Sequence, residues 1–413
     1  MVSVFKLKNP IKHYDWGSPE WIPKLLGLPN DGEEPWAELW MGVHPEGPSE
    51  LALPTGFVSP APRLLPELIG LDPAHYLGEG VAGEFGELPF LYKLLAAARP
   101  LSIQAHPNLS QAKAGWDREN SLGISLKAPN RNYKDLNHKP EIICAITPFT
   151  AMAGFREPGE IIKRLQAVQK VPLALGTSLQ VAPLISALEA PVPEAALQGF
   201  LAALFALPAE TRQALGEYAR SRGNDPTGEY AEEWKYAAWF AELYPGDPAL
   251  IAPLYLNLIN LKPGEAMNIP AGILHAYIQG FGIELMANSD NVLRAGLTPK
   301  HVDLKELTGI LRFAPFKPEI IQSPGAENSP GLFRYPSPCR EYSLYRMSGR
   351  GGETPFPLNG PAIVIVLEGE LIIPAEKLRL RQGESAFIAF GSRPVFSGNY
   401  TISIADTGGS RSV

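Results

Sequence analysis

Proline and glycine decide first what this chain can become. Its 413 residues include 42 prolines and 39 glycines, and such residues end helices and mark turns. Long helices are therefore confined to part of the chain. Between Glu157 and about Tyr244 the texture changes: segments 160–168 (EIIKRLQAV), 194–207 (EAALQGFLAALFAL), 209–222 (AETRQALGEYARSR) and 229–244 (EYAEEWKYAAWFAELY) carry apolar residues at helical period. Pro208-Ala209-Glu210 reads as a helix start, with proline in the first turn and an acid beside it. No chemistry stands out here, and the block reads as an inserted helical domain, 157–250.

On either side the texture is strand and turn. Residues 1–60 read as short strands and turns, and 63–71 and 73–80 as short helices. Phe90–Leu95 and Leu101–Pro107 read as strands, and Ser110–Glu119 as a short helix before a loop. Glu141 opens an apolar strand. After the helical block come strands at 254–261, 267–270, 275–278 and 283–287, then a helix over 301–313. The segments 362–371, 378–390 and 395–405 form a second β block. An LxxGE turn precedes an apolar strand in both blocks, at 261–270 (LKPGEAMNIP) and 380–389 (LRQGESAFIA), which suggests two copies of one β architecture. No histidine follows His301, so a histidine-dependent site belongs to the first copy.

Composition narrows the partners. A formal charge of −7 without a long basic run makes nucleic acid and anionic membrane poor partners. A local basic pocket for an anionic substrate remains open. Two cysteines, Cys144 and Cys339, do not make a disulfide framework. The start lacks the apolar core of a signal peptide, and no apolar run is long enough to span a membrane. A soluble cytoplasmic protein is the expectation.

Four residues of the first β region form a candidate metal-ligand set: Gln104, His106, Glu141 and His275. Ser102, Gln104 and His106 alternate along one face of a strand, which lets Gln104 and His106 meet one ion. Glu141 opens an apolar strand, where a carboxylate needs a partner or a metal. Two histidines with a carboxylate suit catalytic zinc. The competing reading is that both histidines are hydrogen-bonded core residues and Gln104 an ordinary polar face residue. His44 reads as structural.

Three motifs, LSIQAHP (101–107), RNYKDLNHKPE (131–141) and NIPAGILHAYIQGFGIELMANSDNVLRAGLTPKHVD (268–303), resemble the type I mannose-6-phosphate isomerases. YDWG (14–17), AELWMGVHP (37–45), LPFLYKLLAAARPLSIQAHP (88–107) and ENSLGISLKAP (119–129) add to the resemblance, which runs over residues 5–156 and 251–310. It implies a mainly β fold: two cupin-like jelly-roll domains with an inserted α-helical domain. The catalytic cupin would take 1–156 plus 251–318, and a cupin-like domain without metal 319–413. It also implies one zinc ion per chain on Gln104, His106, Glu141 and His275, a sugar-phosphate substrate, and a monomer. Arg294, Lys139, Asp290 and His138 match family active-site positions. Ser102, Lys93, Glu284 and Lys300 are candidates for the sugar-phosphate pocket.

The implied reaction interconverts mannose 6-phosphate and fructose 6-phosphate by moving one proton between C2 and C1 through a cis-enediol. Lys139 and Asp290 are the candidates for that transfer, His138 for ring opening, and Arg294 for the enediolate or the phosphate. Other readings stay open at this point. Asp290 and Arg294 are four residues apart and could be an ion pair. The chain could be a non-catalytic sugar-phosphate-binding relative, or act on another sugar phosphate.

Overall fold

The computed structural model describes residues 3–52, 62–169, 181–323, 331–337, 339–358 and 360–407. Two antiparallel sheets and a helical block account for most of it. Strand His275–Ala287 is the spine of the first, ten-stranded sheet. Its C-terminal half pairs with Phe90–Ala97 and Glu141–Ala145. Its N-terminal half pairs with Phe149–Phe155 and with Gln104. The sheet thus folds into two layers around one strand.

The sequence reading had two strands here, 275–278 and 283–287. One continuous strand forms instead, because the ladder absorbs a register shift between Tyr277 and Gln279. Gly280 permits this, with φ of 140° and a Cβ position that would lie 2.6 Å from the Phe149 ring.

Buried apolar residues on the two layers contribute to three large clusters among the described residues, while Glu38, Lys93, Glu141 and Glu284 are charged groups buried on the first layer. Leu95, Ile143, Phe149, Ala151, Ile259, Met267 and Tyr277 fill the space between the layers. The alternate residues of the first layer, among them Leu94, Ile142 and Leu285, pack with Ile363, Phe387 and Ala405 of the second sheet. Those of the other layer, Met152, Ala276 and Ile278, pack with Phe200, Trp234 and Tyr255 of the helical block. Period-two alternation sends successive residues to different cores.

The helix-period segments form helices Pro158–Gln169, Pro193–Phe205, Ala209–Arg222 and Ala231–Leu243, with a further helix at Ala182–Leu188. They stand between strands Phe149–Phe155 and Leu256–Leu261, which pair with each other. The second sheet contains Ser343–Arg350, Ala362–Ile373, Ser385–Ile388 and Asn399–Asp406. It also recruits Val4–Lys8, which pairs with Ser385–Ile388. Among the described residues no helix is long and apolar enough to cross a membrane.

Other local expectations change. Trp21–Leu26 is a helix where turns and strands were expected. The helix expected over 301–313 spans only Leu304–Ile310, starting where the Asp303 side chain accepts the Glu306 N–H. The strand expected over 101–107 shrinks to Gln104–Ala105. The reason is a change of partner along the segment: Leu101 N–H bonds Tyr277 O and Ile103 N–H bonds Gly296 O, so no single ladder runs its length.

Candidate active site and metal centre

Strand register brings the candidate ligands together. His275 lies opposite Gln104, and Gln104 opposite Arg294. Residues directly opposite in an antiparallel pair share a face, so the three stand in one row. Glu141 enters from the other layer, opposite Met286 and Ile269. His106, Glu141 and His275 are all buried, and their ligand atoms lie within 4.8 Å of one another. His106 Nε2 is 3.2 Å from Glu141 Oε1, and His275 Nε2 is 3.3 Å from Oε2.

The second nitrogen of each ring fixes its tautomer. His106 Nδ1 is 2.7 Å from Asn291 O, and His275 Nδ1 is 3.0 Å from Ile273 O. A carbonyl only accepts, so Nδ1 carries a proton, and in the neutral form of each ring Nε2 keeps the lone pair. Burial pushes the His106 imidazole down to about 4, so it is neutral at pH 7. Burial alone would raise the Glu141 carboxyl, yet it is held well below its usual range, first by any proton on His106 and then by Lys139; with the His106 ring neutral, the Lys139 ammonium is the cation that stays beside it. Two lone pairs therefore face an ionised carboxylate with no proton between them. His106 Nε2, His275 Nε2 and Glu141 Oε1 are buried without a hydrogen-bond partner. Such atoms are costly unless a cation joins them. A divalent metal ion fits, and carbonyl-anchored imidazoles are the usual way to aim its ligands.

Polar residues surround this cluster. Lys139 Nζ lies 3.3 Å from Glu141 Oε1, and Tyr277 OH donates to Glu141 Oε2 at 3.4 Å. Lys93 is buried and lies 2.8 Å from Glu284 and 3.5 Å from Glu38. Burial would depress its ammonium, but the two carboxylates outweigh burial and hold it above its usual range. Lys93 and Glu284, expected in the sugar-phosphate pocket, thus form a closed ion-pair group with Glu38.

Asp290 and Arg294 are not paired. Asp290 Oδ2 lies 3.4 Å from His44 Nε2. Burial would raise the Asp290 carboxyl, but His44 and then Lys139 pull it down to about 2. Arg294 has no ion-pair partner among the described residues, and burial lowers its guanidinium. Lys300 is lowered by partial burial, then by Arg294 and Lys134. Arg294, Lys134 and Lys300 thus lie near enough for Lys300 to feel the other two, with Asp15 opposing them, and such a grouping of cations suits an anion. Ser102, half-buried, makes no side-chain hydrogen bond among the described residues. His138 turns to Glu341, with Nε2 2.5 Å from Oε1.

Sequence reasoning took His44 as structural and gave no role to Glu38, Asn291 or Glu341, yet each contacts a candidate site residue. His44 stands beside Asp290 and edge-on to Trp40, its Nδ1 accepting the Glu46 N–H. Its place in AELWMGVHP was the available signal. Asn291 is fully buried; its Oδ1 accepts the Lys134 N–H at 2.7 Å and its Nδ2 donates to Asn137 O at 2.8 Å. Its own carbonyl holds His106, so one residue ties the loop before His138 and Lys139 to a candidate metal-ligand histidine.

Fold and site define a protein built on antiparallel sheets with a buried histidine–carboxylate cluster suited to a metal ion. A family model, phosphomannose isomerase type I, catalytic domain, matches residues 4–158. The mannose-6-phosphate isomerase of Escherichia coli K12 is 40% identical over 395 residues, 94% of this chain and 96% of its own length. The human mannose-6-phosphate isomerase is 31% identical and covers 89% of this chain and 88% of its own. A solved zinc-bound mannose 6-phosphate isomerase superposes with a TM-score of 0.86 at 38% identity, over 98% of this chain and 99% of that one. The chain belongs to the type I phosphomannose isomerase family.

Proposed function

We propose that the chain is a zinc-dependent aldose–ketose isomerase that interconverts mannose 6-phosphate and fructose 6-phosphate. The observation that carries this is the convergence of His106, His275 and Glu141, whose buried ligand atoms lie within 4.8 Å of one another without a hydrogen bond among them, in a chain 40% identical to an isomerase of that name. Gln104, opposite His275 in the register, is the fourth ligand on this reading. One zinc ion held there would supply a Lewis acid that polarises the sugar carbonyl.

The remaining roles fall to side chains. Lys139 and Asp290 share the proton transfer between C2 and C1, and His138 serves ring opening. Arg294 offers an uncommitted guanidinium to the enediolate or the phosphate, and Lys300 and Ser102 complete the phosphate pocket. Lys93 and Glu284 border that pocket as an ion pair.

The same reading makes the first sheet a cupin jelly roll, formed by 1–156 plus 251–318, with 157–250 inserted as a helical domain. Residues 319–413 form a second cupin without metal. The two layers shared by strand His275–Ala287 support this division, with strand Val4–Lys8 lent to the last unit. The enzyme works as a cytoplasmic monomer.

The test is direct. Purified chain with zinc should convert mannose 6-phosphate to fructose 6-phosphate and lose that activity to a chelator. Sugar-phosphate binding without turnover would contradict the proposal.

A further inference from the structure

Glu341 stands just before strand Ser343–Arg350 of the second sheet and is 8% exposed. Its Oε1 lies 2.5 Å from Nε2 of His138. Its Oε2 accepts the Arg340 N–H at 3.0 Å. Burial would raise this carboxyl, yet His138 holds it below its usual range, so it is an ionised acceptor. The proton between the two groups therefore sits on Nε2, and the lone pair of a neutral ring sits on Nδ1. Nδ1 makes no hydrogen bond among the described residues, and the His138 side chain is 26% exposed against 11% for Glu341. One edge of the imidazole is clamped and the other makes no hydrogen bond among the described residues.

The backbone of His138 is also fixed. Its N–H donates to Asn137 Oδ1 at 3.0 Å, and Asn137 O accepts from Asn291, the residue that holds His106. The neighbouring charges are engaged elsewhere: Arg340 pairs with Glu84 at 2.9 Å and Lys139 with Glu141 at 3.3 Å. The arrangement is a carboxylate-oriented histidine, in which the carboxylate selects the tautomer and the free nitrogen handles protons.

We propose that Glu341 is a positioning residue for the reaction: it fixes His138 in the Nε2–H tautomer and leaves Nδ1 to open the sugar ring. The metal-free C-terminal unit thereby completes the active site. This rests on the isomerase reading above. Ring opening is balanced by one proton. Nδ1 accepts it from the O1 hydroxyl as the C1 carbonyl forms, the C1–O5 bond breaks, and the proton is returned to O5.

The experiment compares zinc-loaded full-length wild type with Glu341→Gln, Glu341→Asp, His138→Asn and the double variant His138→Asn/Glu341→Gln. Glu341→Gln is expected to lower kcat at least about ten-fold, with KM and zinc content little changed, and Glu341→Asp to recover part of the loss. In the double variant Glu341→Gln should add nothing to His138→Asn. Nitrogen NMR should show His138 protonated at Nε2 in the wild type and losing that preference in Glu341→Gln. Full kcat in Glu341→Gln, losses that multiply in the double variant, or an unchanged tautomer would overturn the proposal. An inactive wild type would instead contradict the isomerase reading, and the nitrogen shifts would still test the clamp.

Discussion

Lys93→Met tests the electrostatics beneath the site. Lys93 lies 2.8 Å from Glu284 and 3.5 Å from Glu38, and all three side chains are at most 7% exposed. At an effective dielectric of about 20 the two attractions are worth roughly 6 and 5 kcal/mol before desolvation. Methionine keeps most of the volume but leaves two carboxylates buried without their cation. Breaking such a group costs about 3–5 kcal/mol. A second route bounds the magnitude for each carboxyl from above: holding one protonated at pH 7, from its ordinary value of 4.5, costs about 3.4 kcal/mol, and burial already raises Glu284 in the wild type despite Lys93. The variant should therefore lose about 3–5 kcal/mol in urea unfolding at pH 7, with both proteins stripped of metal.

The pH dependence carries a sign. A carboxyl raised in the folded variant stabilises it only where protonated, so stability falls as pH rises above the unfolded value of about 4.5. Between pH 7 and pH 5 the deficit should shrink by about 1.4 kcal/mol per pH unit for each carboxyl neutralised. Glu284→Gln added to Lys93→Met should recover part of it. A deficit under about 1 kcal/mol at pH 7, or one that ignores pH, would refute the reasoning.

Three further outcomes are expected. Arg294→Gln should fold normally and lose about 10²–10³ in kcat/KM; near-native kinetics would remove Arg294 from the site. Asn291→Leu should cost about 1–2 kcal/mol by removing the bonds that hold half-buried backbone groups of the 134–137 loop and should weaken zinc binding by ten-fold or more, read by competition with a chelating dye. Asp290, lowered to about 2, stabilises the fold above its unfolded value near 4, and that contribution is lost as pH falls through 2. Its side chain is a third exposed, so the effect is about 1–2 kcal/mol after screening. Acid titration of the metal-free protein should show His44→Gln with a smaller loss over that window.

The parts legible in the sequence were those written locally. Helical period between Glu160 and Tyr244 needs no partner to be read, and the helices fall where it runs. Gln104 and His106 stood out by alternation, and Glu141 by its place in an apolar run; burial of His106, Glu141 and His275 around a common point follows from that chemistry. What escaped depends on pairings between distant residues. His44 meets Asp290, and His138 meets Glu341 across 203 positions. Strand Val4–Lys8 joins a sheet whose other main strands come after residue 331. No periodicity marks such contacts. Leu101–Pro107 misled for the same reason: its alternation is genuine, but its hydrogen bonds go to two different partners.

The central claim is that His106, Glu141 and His275 hold a metal ion on which sugar-phosphate isomerisation depends. Metal content and mannose 6-phosphate isomerase activity, measured on the same preparations of wild type and His275→Ala, test it most directly. One zinc per chain with turnover in the wild type, and loss of both in a folded His275→Ala, is the predicted result. A His275→Ala protein that turns over substrate at the wild-type rate with no bound metal would contradict it.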